Sequence, residues 1–252
     1  MATVRTARVI DAETLAAGAA GAATRVLALE AAEPLGFSGG QYIIIDSGLT
    51  LPSGKAAKRA YSILSADADQ RRFRLAVKRI PGGPVSGFLH GVTSGATVAF
   101  SGPWGKLAPR DAAAGGGAVL VIATDTGISA ALGLVQATRF GALLPDTVLI
   151  WLQVSGEQFL PPALVRAHIP PGCGEIRFAA LPPIGHPERV PHARAVLAGA
   201  LARRPIAQAF CCGDGAVNYA LLDDLVAAGI PATRDSVESF FHMPKKAAGA
   251  AP

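Results

Sequence analysis

Two rhythms of apolar and polar positions divide the 252-residue chain. In residues 1–110 apolar side chains recur every second position in short runs, at 4–10, 24–29, 41–46, 58–64, 73–79 and 97–101, separated by Gly, Pro and Asp. A period of two places alternate side chains on opposite faces of an extended segment, so these runs predict six antiparallel strands. Six strands suggest a barrel, with one helix inserted after the fifth. The helix-like alanine content of residues 16–23 blurs the end of the first strand. From residue 118 the rhythm changes: Ala118-Val119-Leu120-Val121-Ile122-Ala123 is a continuous apolar run of the kind a fully buried parallel strand requires. Further strands at 147–154, 175–179 and 207–212 alternate with helical patterns at 129–140, 161–168, 192–202 and 217–228. That alternation predicts a parallel sheet with ligands at the carboxyl ends of its strands. Residues 111–117, three alanines and three glycines after an aspartate, carry no core side chains and mark a linker between residues 1–110 and residues 118–252.

Composition narrows the function. Half the residues are hydrophobic, yet no run approaches the roughly 20 consecutive apolar residues of a membrane-spanning helix. The N-terminus, with Arg5 and Arg8 and no apolar core ahead of a small-residue cleavage site, does not read as a signal peptide, so the expectation is a soluble, cytoplasmic protein. Three cysteines, Cys173, Cys211 and Cys212, are too few and wrongly spaced to ligate an iron–sulfur cluster or zinc, and the histidines lack ligand spacing, so no metal centre is expected. The odd cysteine count fits a reducing compartment. A formal charge of +5 and a pI near 9.4 suit an acidic partner. No Lys/Arg run with interleaved aromatics points to nucleic acid.

Two stretches carry the chemistry. In an extended Arg59-Ala60-Tyr61-Ser62, Arg59 and Tyr61 share a face, and a planar guanidinium, an aromatic ring and a hydroxyl can grip a phosphate, cover a flat ring and hydrogen-bond its edge. A flavin needs those three services, although an edge strand with an exposed Arg and a packed Tyr reads the same locally. The second stretch runs from Ala76-Val77-Lys78 to Gly82-Gly83-Pro84-Val85-Ser86, where a strand ends, glycines turn, and a helix opens with Ser86 near its N-cap. Free N–H groups and the helix dipole at such a start favour phosphate, while a plain strand-turn-helix has the same local appearance.

These segments occur in order with Gly40-Gln41-Tyr42, Ser101-Gly102-Pro103-Trp104-Gly105, residues 123–130, Cys212-Gly213-Asp214 and Glu238-Ser239-Phe240-Phe241. In that order, and over nearly its whole length, the chain resembles the ferredoxin-NADP reductase superfamily, in which a flavin barrel precedes a nicotinamide domain. The resemblance implies FAD held by Arg59, Ala60, Tyr61, Ser62, Ala76, Val77, Lys78, Gly83, Pro84, Val85 and Ser86, with FAD preferred to FMN because the likeness is to compact reductases without a fused cluster domain. It implies NADH or NADPH at Thr124, Asp125, Thr126 and Gly127 and at Cys212, Gly213 and Asp214. Ser62, Cys212 and Glu238 take the catalytic, ring-positioning places, with Phe240 and Phe241 bordering the rings or filling core. The implied function is hydride transfer from nicotinamide to flavin, then delivery of single electrons to a separate acidic protein such as a ferredoxin or flavodoxin. A flavin or small-acceptor reductase, or an electron-transfer subunit with lost nicotinamide use, are the alternatives.

The chain departs from the family pattern at Asp125, where a glycine is usual, at Ala130, where a proline is usual, and at Asp214, again in place of proline. A carboxylate beside a pyrophosphate is unfavourable unless it caps a helix or faces a ribose hydroxyl or a cation. After the second parallel strand stands Val154-Ser155-Gly156-Glu157-Gln158, where the acidic Glu157 points to NADH over NADPH, unless it is a solvated loop residue or Arg177 or Arg194 reaches the site; Arg166 lies well downstream. Lys245 and Lys246 near the C-terminus are candidates for docking an acidic partner, and Cys211 is expected in the core.

Overall fold

The computed structural model describes residues 3–19, 21–108 and 116–241. Most of the expected linker and both Lys245 and Lys246 lie outside the described residues. The first domain contains β1 (Arg5–Leu15), β2 (Thr24–Ala31), β3 (Tyr42–Thr50), β4 (Ala56–Ser62), β5 (Arg72–Lys78), α1 (Pro84–Gly91) and β6 (Thr97–Trp104). Its antiparallel sheet has the order β4-β3-β6-β1-β2-β5. The sheet curls until its edges meet: just past β4, Leu64 N donates to Arg74 O at 2.9 Å, and Arg74 N donates to Ser65 Oγ at 3.0 Å. Alternation explains the interior, since Val9, Leu27, Leu29, Ile43, Ile45, Phe73, Leu75, Val98 and Phe100 form one buried cluster, closed by Val85 and Leu89 of α1. Residues 16–19 and 21–23 are a loop, not helix, turning through a Gly21 N to Gly18 O bond. Ser86 is not the N-cap of α1. Gly83 is, and the Ser86 hydroxyl packs back onto it, donating to Gly83 O at 3.2 Å and accepting from Ile80 N at 3.2 Å.

The second domain is a parallel sheet in the order β11-β10-β7-β8-β9, built from β7 (Ala118–Thr124), β8 (Thr147–Val154), β9 (Glu175–Leu181), β10 (Ile206–Asp214) and β11 (Val237–Phe241). Its helices are α2 (Ile128–Val135), α3 (Pro162–His168), α4 (Arg189–Leu201) and α5 (Gly215–Ala227). The helical pattern at 129–140 breaks after α2 into a 3-10 segment, Thr138–Asp146. The break falls where Thr138 gives both its N–H and its hydroxyl to Asp67 of the barrel. α4 starts at Arg189, three residues before the expected position, which matters for the site below.

Chain direction reverses around β7: β8 and β9 go to one side, β10 and β11 to the other. A switch of this kind opens a crevice at the carboxyl ends of β7 and β10. Glycine fixes how the barrel sits against it. A Cβ on Gly133 of α2 would lie 2.3 Å from Ile63 O, and one on Gly39 would lie 2.1 Å from Gly133 O. Leu64, Ala76 and Leu107 of the barrel join Val121, Leu132, Trp151 and Phe210 in one buried cluster, and Gln136 Nε2 donates to Leu64 O at 2.8 Å. Among the described residues no single helix is long and apolar enough to cross a membrane.

Candidate active site

The seam between the domains holds a cleft of about 890 Å³. β4 contributes Arg59, Ala60, Tyr61 and Ser62; β5 contributes Ala76 and Lys78; Gly83, Pro84, Val85 and Ser86 come from the start of α1. The far wall is Thr126 and Ser129, with Glu238, Ser239 and Phe240 of β11. Sequence reading missed Tyr42, Ile44, Lys58, Ile80, Ser129 and Ser239 as lining residues. Ile44 was accessible to it, since it stands opposite Ala60 in the β3–β4 register. Val77 lines no part of the cleft: alternation turns its side chain into the barrel core and leaves only its backbone near a ligand.

The lining suits an anionic, flat, hydrogen-bonding ligand. Arg59 is exposed and spends one Nη1 bond on Lys58 O at 2.9 Å, leaving the rest of its fork for an anion. The first N–H groups of α1 have no intrahelical acceptor, and no side chain caps them. Burial pushes the Tyr61 phenol up to about 12 against the pull of Arg59, so Tyr61 offers a neutral ring. Ser62 Oγ and Ser129 Oγ are buried without a hydrogen-bond partner. A hydroxyl in that condition costs free energy until a partner completes it, and both residues line the cleft, where a ligand or a water can supply one. These features fit a flavin dinucleotide.

Glu238 stands on the opposite wall with no cationic partner among the described residues, and burial pushes its carboxyl up to about 7. Burial raises the Tyr42 phenol as well, and the Glu238 charge adds to the shift. Gly105, at φ 101°, passes so close that a Cβ there would be 3.2 Å from the Tyr42 ring and 3.4 Å from Glu238 Oε2. Cys212 pairs with Glu238 across β10 and β11, but its side chain is fully buried in the core facing the barrel and does not line the cleft. Burial holds its thiol well above the ordinary range. Cys211 packs in the opposite layer, as expected of its strand neighbour. Phe240 borders the cleft, whereas Phe241 does not.

At the two turns with added carboxylates, Asp125 takes the alternative of facing a cation, and the helix cap belongs to Asp214 instead. Asp125 does not cap a helix: Thr124 precedes the short 3-10 turn Asp125–Gly127. Nor is Asp125 an uncompensated charge facing the crevice. Its carboxylate accepts from Val154 N at 3.3 Å and is ion-paired with Arg189 Nη2. Arg189 Nε donates to Asp214 Oδ2 at 2.8 Å and Nη1 to Pro182 O at 2.6 Å, so one buried guanidinium ties together the ends of β7, β9 and β10. Asp214 caps α5, accepting from Ala216 N at 3.0 Å. Burial pushes the Asp125 carboxyl up, against the opposing pull of Arg189. Thr124 Oγ1 accepts from Asp214 N at 2.8 Å, and Cβ atoms on Gly127 and Gly213 would lie 2.2 Å from Cys212 O and 2.4 Å from Thr124 O. These glycines let the two turns touch each other.

A second cavity of about 380 Å³ lies at the ends of β8 and β9, lined by residues 153–158 and by Phe178, with Gly18 and Ala19 of the barrel. Glu157 is ion-paired across the domain seam with Lys78. Arg177 is paired with Glu175, Arg194 with Asp224 at 2.9 Å, and Arg166 stands 4.7 Å over the Phe178 ring.

Comparison with known proteins gives the same outline. Residues 12–108 match the oxidoreductase FAD-binding domain family. Over 107 residues the chain is 41% identical to ferredoxin--NADP reductase B of Sorangium cellulosum, covering 42% of each protein. Over 117 residues it is 37% identical to the reductase subunit of an aromatic O-demethylase from Amycolatopsis, covering 45% of this chain and 33% of that one. The matches thus span less than half the length of these curated relatives. Among solved structures, ferredoxin-NADP+ reductase from Plasmodium falciparum with 2'P-AMP superposes at a TM-score of 0.67 with 15% identity, covering 94% of this chain and 97% of that one.

Proposed function

We propose, starting from a chain that has an FAD-binding domain and the two-domain fold of the ferredoxin-NADP reductase superfamily, that it is an FAD-dependent NAD(P)H oxidoreductase passing single electrons to a separate protein. One observation carries the reading: a single cleft gathers Arg59, Tyr61, Ser62, the open start of α1 and Glu238, with a buried Ser62 hydroxyl that has no protein partner among the described residues.

FAD, when bound, supplies hydride acceptance and one-electron release, and the protein supplies position and electrostatics. Arg59 and the N–H groups at the start of α1 would hold its pyrophosphate, Tyr61 would offer a ring face to it, and Ser62 would supply a hydroxyl donor. Glu238, with its carboxyl at about 7, holds or releases a proton at the cleft wall near neutral pH. Cys212 acts from behind that wall by packing, not by contact. The smaller cavity takes the adenosine end of the nicotinamide dinucleotide. None of the described residues lining it is Lys or Arg, and Glu157 is among them, which favours NADH over NADPH. The acceptor is an acidic one-electron carrier of the ferredoxin or flavodoxin kind, supported by the +5 charge and by the reductase names of the relatives.

Purified protein should be yellow and release FAD on denaturation, and anaerobic stopped-flow mixing should bleach the flavin faster with NADH than with NADPH. Retention of FMN alone, or of no flavin, overturns the cofactor assignment. Bleaching by neither nucleotide at millimolar concentration leaves the second reading, an electron-transfer subunit, which the Arg189 tie across the crevice favours.

A further inference from the structure

Asp125 stands between the two cavities. Its neighbour Thr126 lines the larger one, and Val154, whose N–H it accepts, lines the smaller. A dinucleotide with its nicotinamide in one cavity and its adenosine in the other must carry its pyrophosphate past this residue. Among the described residues Lys78 bridges the same seam to Glu157, while Arg189 lies at Asp125 itself and binds its carboxylate where the pyrophosphate would pass. We propose that the Asp125–Arg189 pair is the pyrophosphate seat in its closed form, and that binding exchanges the Asp125 carboxylate for a pyrophosphate oxygen on Arg189. The inference rests on the nicotinamide use proposed above.

Three features make the exchange physically reasonable. The guanidinium keeps two anchors when Asp125 leaves, because Nε stays on Asp214 and Nη1 on Pro182 O. A fork held at two points is pre-organised for an incoming anion. Asp125 is also the one described non-glycine residue with positive φ, at 49°, a conformation that Asp and Asn adopt more readily than other side chains. Finally, a pyrophosphate taking the place of Asp125 neutralises the same cation, so Arg189 is never left buried without an anion.

The test is calorimetric titration of the oxidised, flavin-loaded protein with ADP-ribose, which carries the pyrophosphate but no reactive ring. Asp125→Asn keeps the shape and tolerates the positive φ, while removing the competing charge. It should tighten ADP-ribose about tenfold, the scale of one hydrogen bond to a charged group, and leave adenosine unchanged. Arg189→Lys should weaken ADP-ribose. If Arg189 is a fixed strut, Asp125→Asn lowers the melting temperature and leaves ADP-ribose affinity equal or weaker, which overturns the exchange. Equal tightening of adenosine also overturns it, since the effect then has nothing to do with pyrophosphate. If wild type binds ADP-ribose and Asp125→Asn does not change its affinity, the exchange fails and nicotinamide use stands. If neither wild type nor Asp125→Asn binds ADP-ribose at millimolar concentration while flavin is retained, nicotinamide use fails and the exchange with it.

Discussion

At the scale of single residues, Glu238 gives the most direct pH signature. Its carboxyl stands at about 7 in the fold against 4.5 for an ordinary glutamate, so the folded state holds its proton more tightly than the unfolded state does. The folded state is therefore favoured fully below about pH 4.5, loses ground as pH rises towards 7, and levels off above that, by roughly 3 kcal/mol in all. Urea unfolding of wild type and Glu238→Gln in the same flavin state at pH 4.5, 6 and 8 should show wild type losing stability relative to the variant as pH rises. A pH-independent difference rules the shift out. On the other wall, Arg59→Ala should weaken FAD retention by roughly 1.5–3 kcal/mol, measured by flavin release under dilution, as one charged contact to phosphate is removed. Arg59, Ser62 and Glu238 were legible because each sits in a short, ordered motif. The fate of Asp125 was not, because its partner lies 64 residues away, at the first turn of a helix whose start the apolar pattern placed late. Cys212 shows the opposite limit: strand alternation separates it from Cys211 correctly, but alternation says nothing about depth, and the side chain ends in core instead of cleft.

At the scale of elements, close backbone approach sets the site's geometry. Gly133 lets α2 lie against the barrel where a Cβ would be 2.3 Å from a backbone oxygen, which cannot move aside as a side chain can. Gly133→Ala should cost roughly 1–3 kcal/mol, the range for overpacking, and should also loosen flavin binding, because the same contact seats the second domain over the cleft. Gly199 of α4 is the matched control, with open space around its would-be Cβ. Gly199→Ala should be stabilising by roughly 0.5–1 kcal/mol through helix propensity alone. Thermal melting of both variants decides the matter, and equal effects would remove the steric argument. Strand positions were legible here because period two is a property of the strand itself. The end of α2 was not, because an unbroken apolar pattern continues past Val135 and the break is imposed by Asp67 of the other domain.

At the scale of the whole molecule, charge and exposed surface converge on the cleft mouth. Arg59 is exposed there, Lys58 is half-exposed beside it, Arg79 is exposed one residue before Ile80, and the exposed apolar side chains of Ile80 and Phe240 lie at the same opening. A ring of cations around a small apolar patch steers an acidic protein towards the flavin without requiring a deep interface. Fields of this kind are screened beyond a Debye length, about 10 Å at 0.1 M salt, so steering should be strong only in dilute buffer. The second-order rate of reducing an acidic ferredoxin or flavodoxin should therefore fall about tenfold or more between roughly 0.01 and 0.5 M salt, the lower end of measured steering effects. Arg79→Glu should lower that rate at low salt and flatten its salt dependence, while the rate at which saturating NADH bleaches the flavin stays near wild type, since Arg79 lines neither cavity. Stopped-flow rates across a salt series, for both half-reactions, separate steering from chemistry. A salt-independent second half-reaction, or an Arg79→Glu variant that matches wild type at low salt, would place the docking face away from the cleft mouth and return the partner assignment to the small-acceptor alternative.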